Sequence, residues 1–281
     1  MKSITLDCKA KINLAIDVVG KRENGYHDVK MVMQEVDLCD VVTINTRDFG
    51  IKLSCSGDEN IPCDRENIAY KAAEKFFMAT KINSGATIHI EKYIPSGAGM
   101  AGGSADAAGV LMGLNRIFES PLSIDKCMEL GTTLGADVPF CIHGGCVLAE
   151  GIGEVLTPLG DAPNVNYLIA KPKVSVSTKW VYENLDYTKK PKNLCVKAVA
   201  EGIMRGDLEM IIKNAGNILE NVTINAHPIV GEFKEIMYKN GAMLSLMSGS
   251  GSSVFGMFEN KYLAKRAMKS FSPYTDELYI V

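Results

Sequence analysis

The sequence predicts an α+β protein of two domains, and three observations lead there. Its 281 residues accommodate one large or two moderate domains. Apolar residues alternate between Ser3 and Leu53, as strands do, and fall at helical spacing over long stretches further on. A glycine- and proline-rich stretch from Gly151 to Pro163 offers a passage between halves, which puts the domains at 1–156 and 157–281.

Composition narrows the class of function. A hydrophobic fraction of 47% with 22% charged residues is that of an ordinary soluble globular chain. A net charge of −3 offers no broad basic surface, so the chain is expected to bind neither nucleic acid nor an anionic membrane, and any anionic ligand must be held locally. The first residues lack an apolar signal core and no run reaches the roughly 18 apolar residues of a membrane helix, which points to the cytoplasm. The eight cysteines form no Cys-x-x-Cys pair and read as reduced thiols filling apolar space; Cys141, His143 and Cys146 lack a fourth ligand at zinc spacing.

Taken in order, the chain opens on a strand over residues 3–20, in which Lys11 and Asn13 share one side while their neighbours are apolar. They are either solvent-exposed or aimed at a site. The polar loop from Gly20 to Asp28 carries an Asn-Gly turn signal and presents Tyr26 and His27, as loop anchors or as a binding device. Strands continue from Met31 to Leu53. Asp64 to Lys81 reads as a helix with Asp64 as N-cap, and Asn67 stands near its start.

A strand from Ala86 to Glu91 leads through Lys92 into Pro95-Ser96-Gly97-Ala98-Gly99-Met100-Ala101-Gly102-Gly103-Ser104-Ala105, after which Ala107, Val110, Leu111, Leu114 and Ile117 fall at helical spacing. Glycines between a strand and a helix aim unobstructed N–H groups and the positive end of the helix dipole at one place, where an anion fits. Ser104 is positioned to cap that helix or to touch a metal-bound phosphate. Gly97 to Gly102 also matches the dinucleotide pattern GxGxxG, and a tight packing turn would use glycines too. A Walker loop is excluded, since no Gly-Lys-Ser or Gly-Lys-Thr occurs. A Rossmann oxidoreductase further needs an acid about 20 residues on; Glu119 fits the count but ends a helix. Ala101 is expected at negative φ, because a left-handed residue with a side chain costs roughly 1–2 kcal/mol.

Pro121 stops the helix, and Ser123 to Leu134 reads as another, capped by Ser123. Asp137 follows in a short turn, Gly135-Ala-Asp-Val-Pro-Phe140, as a turn former or as a catalytic carboxylate. Beyond the strand Asn166 to Ala170 and the segment Lys171 to Tyr182, helices are expected at about 193–204, Asp207–Leu219 and His227–Tyr238. A second glycine-serine loop spans Leu246 to Gly256, Gly249 and Ser250 included, and a helix and the strand Leu278 to Val281 close the chain.

These motifs carry a resemblance. Pro-x-Gly-x-Gly-x-x-Gly-Gly-Ser followed by a small-residue helix resembles the ATP loop of the GHMP kinases, the superfamily of galactokinase, homoserine kinase, mevalonate kinase and phosphomevalonate kinase. Ala-Lys-Ile-Asn-Leu followed by Gly-Lys-Arg-x-x-Gly-Tyr-His is similar to the N-terminal signature of its diphosphocytidyl methylerythritol kinases, and Gly-Ala-Asp-Val-Pro-Phe to their catalytic-aspartate segment. The likeness covers residues 9 to 256 in four motifs.

The resemblance implies a two-domain GHMP kinase fold, with a ribosomal-protein-S5-like N-terminal domain, a ferredoxin-like C-terminal domain and an active site in the cleft between them. It implies ATP and Mg²⁺ as cofactors and a small-molecule substrate bearing a cytidine diphosphate group, in a monomer or homodimer. Carried over by residue, Lys11 and Asp137 are the catalytic pair. Pro95 to Ala105 hold the nucleotide phosphates, Asn67 and Lys92 contact the nucleotide, and Ser104 is the candidate metal ligand. Asn13, Gly249 and Ser250 border the substrate. Tyr26 and Tyr182 stack on the cytosine, which would then bridge the two domains, and His27 reads its edge. Homoserine- or mevalonate-type kinases share the glycine loop but have no use for Tyr26, His27 and Tyr182. Met100, Ala101 and Ala105 depart from the usual leucine, glycine and serine.

Overall fold

The computed structural model describes residues 2–23, 25–161 and 163–281; Asn24, half of the Asn-Gly turn signal, lies outside the described residues. The chain forms two compact units, each assembled from separated stretches. The first comprises the chain up to Ala10, Asp37–Ser96 and Ala101–Gly144. The second comprises Lys11–Val36, Gly97–Met100 and Gly145–Val281. Strands β1 (Ser3–Lys21) and β2 (His27–Arg47) contribute to both, as does the glycine loop.

In the first unit β3 (Ile51–Ser56) runs parallel to β4 (Gly85–Glu91), with Ile51 opposite Ala86, and β4 runs antiparallel to the later half of β2. A parallel pair needs a long crossover, and helix α1 (Ile68–Thr80) supplies it. The α1 cap is Asn67, whose Oδ1 accepts the Ala69 N–H at 2.8 Å, and not Asp64. Asp64 instead turns the chain just before the helix, accepting the Glu66 N–H at 2.9 Å.

Helix α2 (Gly102–Ile117) packs its buried Ala107, Val110, Leu111 and Leu114 into the core that also holds Val42, Ile44, Phe76, Ile88 and Ile90. Helix α3 (Ile124–Thr132) is capped by Ser123 as its sequence predicts, and α4 (Val138–His143) follows.

In the second unit, the glycine- and proline-rich stretch after residue 150 is the turn and second strand of an antiparallel hairpin, β5 (Cys146–Glu150) with β6 (Val155–Gly160). A four-stranded antiparallel sheet is built later in the chain, in the order β11 (Leu278–Ile280), β7 (Asn166–Ala170), β10 (Val254–Phe258), β9 (Leu244–Met247). Its helical partners are α9 (Pro228–Lys239) and α10 (Lys261–Met268).

Between β7 and β9 lie α5 (Thr178–Glu183), α6 (Val196–Arg205), α7 (Leu208–Asn214) and α8 (Glu220–Ala226). The helix expected over Asp207–Leu219 therefore stops at Asn214. Extended backbone takes over because β8 (Gly216–Asn217) pairs in parallel with Ala15 and Ile16 of β1, a partner some 200 residues away that no local pattern reveals. Among the described residues no helix is long and apolar enough to cross a membrane.

Candidate active site

Lys11 and Asn13 are 3% and 0% exposed, which removes the solvent-facing reading. A buried ammonium must be hydrogen-bonded to be tolerated. Lys11 Nζ donates to Asn13 Oδ1 at 2.6 Å and to the Gly99 carbonyl at 2.8 Å. Asn13 Oδ1 also accepts the Gly249 N–H at 3.0 Å, so one side-chain oxygen joins the lysine to the second glycine-serine loop. That loop meets the Gly97–Met100 segment at close range: Ser248 Oγ donates to the Gly99 carbonyl at 2.9 Å, and the Ser253 N–H to that of Ala98 at 3.3 Å. A Cβ on Gly99 would collide with the Ser248 carbonyl oxygen, and Gly99 sits at φ +70°, so only glycine fits. Ser250 Oγ lies 2.8 Å from Thr178 Oγ1.

The remainder of the glycine loop belongs to the first unit. Ala101 occupies the left-handed region at φ 61°, ψ 25°, contrary to the expectation of negative φ, and serves as the N-cap of α2 without a side-chain bond. The chain must reverse into the helix at that residue, and the expectation weighed local strain alone. Ser104 does not cap the helix; it is the third helical residue, and its Oγ lies 3.7 Å from where a Cβ on Gly135 would stand. The start of α2 thus abuts the turn that bears Asp137. Asp137 is half-buried at the N-cap position of α4, yet its side chain makes no cap hydrogen bond. The turn-former reading fails, and the carboxylate is left available.

Lys92 is buried. Its ammonium pairs with Asp40 and, at 2.6 Å, with Asp106 of α2. Burial opposes its charge, and the Asp106 and Asp40 carboxylates outweigh burial, raising its pKa. Asp40 Oδ1 additionally takes the N–H groups of Tyr93 and Ile94 at 2.6 and 2.8 Å, which fixes the backbone entering Pro95. Ser96 Oγ donates to Asp58 at 2.7 Å and, with the Asn60 N–H, holds that carboxyl below its usual range. Asn67 spends both ends of its amide locally, on Ala69 and on the Pro62 carbonyl.

The aromatic residues gather in the second unit. His27 is 8% exposed, with its ring centroid 5.3 Å from that of Tyr182 at a 36° tilt and 6.5 Å from that of Tyr187, edge on. Burial first, and the Lys21 charge second, push the imidazole pKa below its ordinary value, so the ring is neutral at neutral pH. Tyr26 is 57% exposed. All four rings lie in one unit, so Tyr26 does not stand in a different unit from Tyr182 as expected. Sequence reasoning missed Tyr187, Asp40 and Asp106; an aromatic five residues after Tyr182 was the one local signal among them.

Among the described residues no three His, Cys, Asp or Glu side chains gather as a metal site would require.

The model of the GHMP kinases N terminal domain matches residues 67–145, and that of the GHMP kinases C terminal domain matches residues 199–273. The chain is 47% identical over 275 residues to the 4-diphosphocytidyl-2-C-methyl-D-erythritol kinase of Caldicellulosiruptor bescii, covering 98% of this chain and 96% of that one. It is 47% identical over 285 residues to the protein of the same name from Clostridioides difficile, covering 100% and 95%. A crystal structure of 4-(cytidine 5'-diphospho)-2C-methyl-D-erythritol kinase superposes with a TM-score of 0.84 at 32% identity, covering 99% of this chain and 98% of the other. The chain therefore belongs to the 4-diphosphocytidyl-2-C-methyl-D-erythritol kinase family of the GHMP kinases.

Proposed function

We propose that this protein transfers the γ-phosphoryl group of ATP to the 2-hydroxyl of 4-diphosphocytidyl-2-C-methyl-D-erythritol, giving the 2-phosphate and ADP. The hydroxyl oxygen bonds to the γ-phosphorus, the bond from that phosphorus to ADP breaks, and the hydroxyl proton passes to Asp137. Such transfer asks mainly for positioning and charge neutralisation. The amides that open α2 have no helical acceptor and are suited to the nucleotide phosphates, as are the small residues from Gly97 to Ala105. Lys11 supplies a positive charge held rigidly by Asn13 and Gly99.

Ser104, in the first turn of α2, would offer its hydroxyl oxygen to a magnesium ion held mainly through the nucleotide, which is how Mg²⁺ is commonly bound. When bound, that ion offsets charge on the β- and γ-phosphate oxygens.

The observation that carries the substrate assignment is the grouping of His27, Tyr182 and Tyr187. A small aliphatic alcohol has no use for three rings, whereas a cytosine gains stacking on its faces and hydrogen bonds at its edge. A neutral imidazole offers one donor and one acceptor for that edge.

A coupled ADP-release assay over alcohols with and without a cytidine diphosphate handle tests the reading. Turnover is expected only with the handle. Equal turnover of free homoserine or mevalonate would leave a GHMP kinase of another type.

A further inference from the structure

Asn217 belongs to no recognised motif, yet it is 1% exposed and nearly saturated with hydrogen bonds. Its Nδ2 donates to the carbonyls of Met247 and Gly249, each at 2.8 Å, and its Oδ1 accepts the Leu219 N–H at 2.9 Å. Three residues on, Glu220 Oε1 accepts the Met247 N–H at 2.8 Å while Oε2 takes Lys234 Nζ at 2.5 Å. Met247 is therefore gripped at both its N–H and its carbonyl, and Gly249 at its carbonyl.

The grip leads to the buried lysine. Gly249 uses its N–H on Asn13 Oδ1 at 3.0 Å, the same oxygen that receives Lys11 Nζ at 2.6 Å. Gly249 sits at φ +55° in a run of serines and glycines. Such a run has little conformational preference of its own, so something outside it must set where that N–H points. Asn217 is suited to the task, because its own backbone is pinned by the pairing of β8 with Ala15 and Ile16, on the strand that carries Asn13 and Lys11.

We propose that Asn217 is a positioning residue for Lys11: by fixing Gly249 it sets the Asn13 oxygen that holds the ammonium. The proposal rests on the reading of Lys11 as the catalytic cation. A displacement of about 1 Å at a reacting group can cost about 100-fold in rate, which is why a clamp three hydrogen bonds away matters.

The test is a double-mutant cycle with Asn217→Asp, which keeps the acceptor for Leu219 but sets a carboxylate against two carbonyls. In the wild-type background kcat should fall by about 10-fold or more with the ATP KM changed less than about 3-fold. In a Lys11→Ala background the same substitution should cost less than about 2-fold, since there is no ammonium left to misplace. Equal losses in both backgrounds, or full kcat in a folded Asn217→Asp, would overturn the proposal. If circular dichroism shows that variant unfolded, Asn217→Ser, which retains one donor, is put through the same cycle against the same criteria. A wild-type rate for Lys11→Ala alone would instead sink the reading of Lys11, a separable result.

Discussion

Asn13 Oδ1 accepts both Lys11 Nζ at 2.6 Å and the Gly249 N–H at 3.0 Å, so one buried oxygen serves a cation and a loop together. Asn13→Ala removes both bonds at once. Leaving a buried donor unpaired costs about 1–3 kcal/mol, so equilibrium unfolding in urea should show a loss of that size. The kcat should fall by about 10-fold or more, as for a misplaced reacting group. A variant with reduced stability and unchanged kcat would mean that Asn13 serves the fold alone.

Asp137→Asn keeps the shape of the α4 start, whose geometry does not depend on a side-chain cap. It removes the proton acceptor. The kcat should drop by about 100-fold or more, with nucleotide binding retained in a fluorescence titration. Near-normal turnover would take Asp137 out of the mechanism.

Ala101 sits at φ 61° with an L side chain. Glycine there escapes a strain of roughly 1–2 kcal/mol but loses more entropy on folding, for a net gain of about 0.5–1 kcal/mol. Ala101→Gly should therefore raise the urea midpoint at constant m-value. A lowered midpoint would show that the alanine methyl makes packing contacts worth more than the strain.

Burial first, then the neighbouring Asp40 charge, push the Asp106 carboxyl up to about 7, against the opposing pull of Lys92. Unfolded, it would titrate near 4. Between those values the folded chain binds more protons than the unfolded one, so this group makes stability fall as pH rises through the window. Asp106→Asn cannot lose a proton and should flatten Tm against pH from about 4 to about 7. Melting curves across that range decide it, and parallel curves for the two proteins would contradict it.

Tyr182→Ala should raise KM for the cytidine diphosphate substrate by about 10-fold, from a stacking contribution of about 1–3 kcal/mol, with the ATP KM nearly untouched. His27→Ala should narrow the preference for cytosine over uracil, since the edge alone distinguishes them. Steady-state kinetics with both substrates checks each variant; an equal rise in ATP KM would place the ring at the wrong end of the reaction.

The sequence by itself determined the elements whose cause is local. The glycine loop leading into α2, the Ser123 cap and the amphipathic α9 follow from residue type and spacing along a few turns of chain. The resemblance to the GHMP kinases that those motifs carry, rather than pattern alone, singled out Lys11 and Asp137. Tertiary structure decided what those residues touch. Lys11 and Asn13 read as either solvent-exposed or aimed at a site until Gly99 and Gly249, about 90 and 240 residues away, close over them. Asn217 looks like part of a helix until β1 draws it into extended backbone and Met247 and Gly249 fill its hydrogen bonds. Ala101 takes the φ that the chain's path requires, against its own preference. For the lysine and the two asparagines the physical reason is the same. Local propensities amount to about 1 kcal/mol per residue, whereas a buried ammonium or amide left without partners costs more, so the through-space partner prevails.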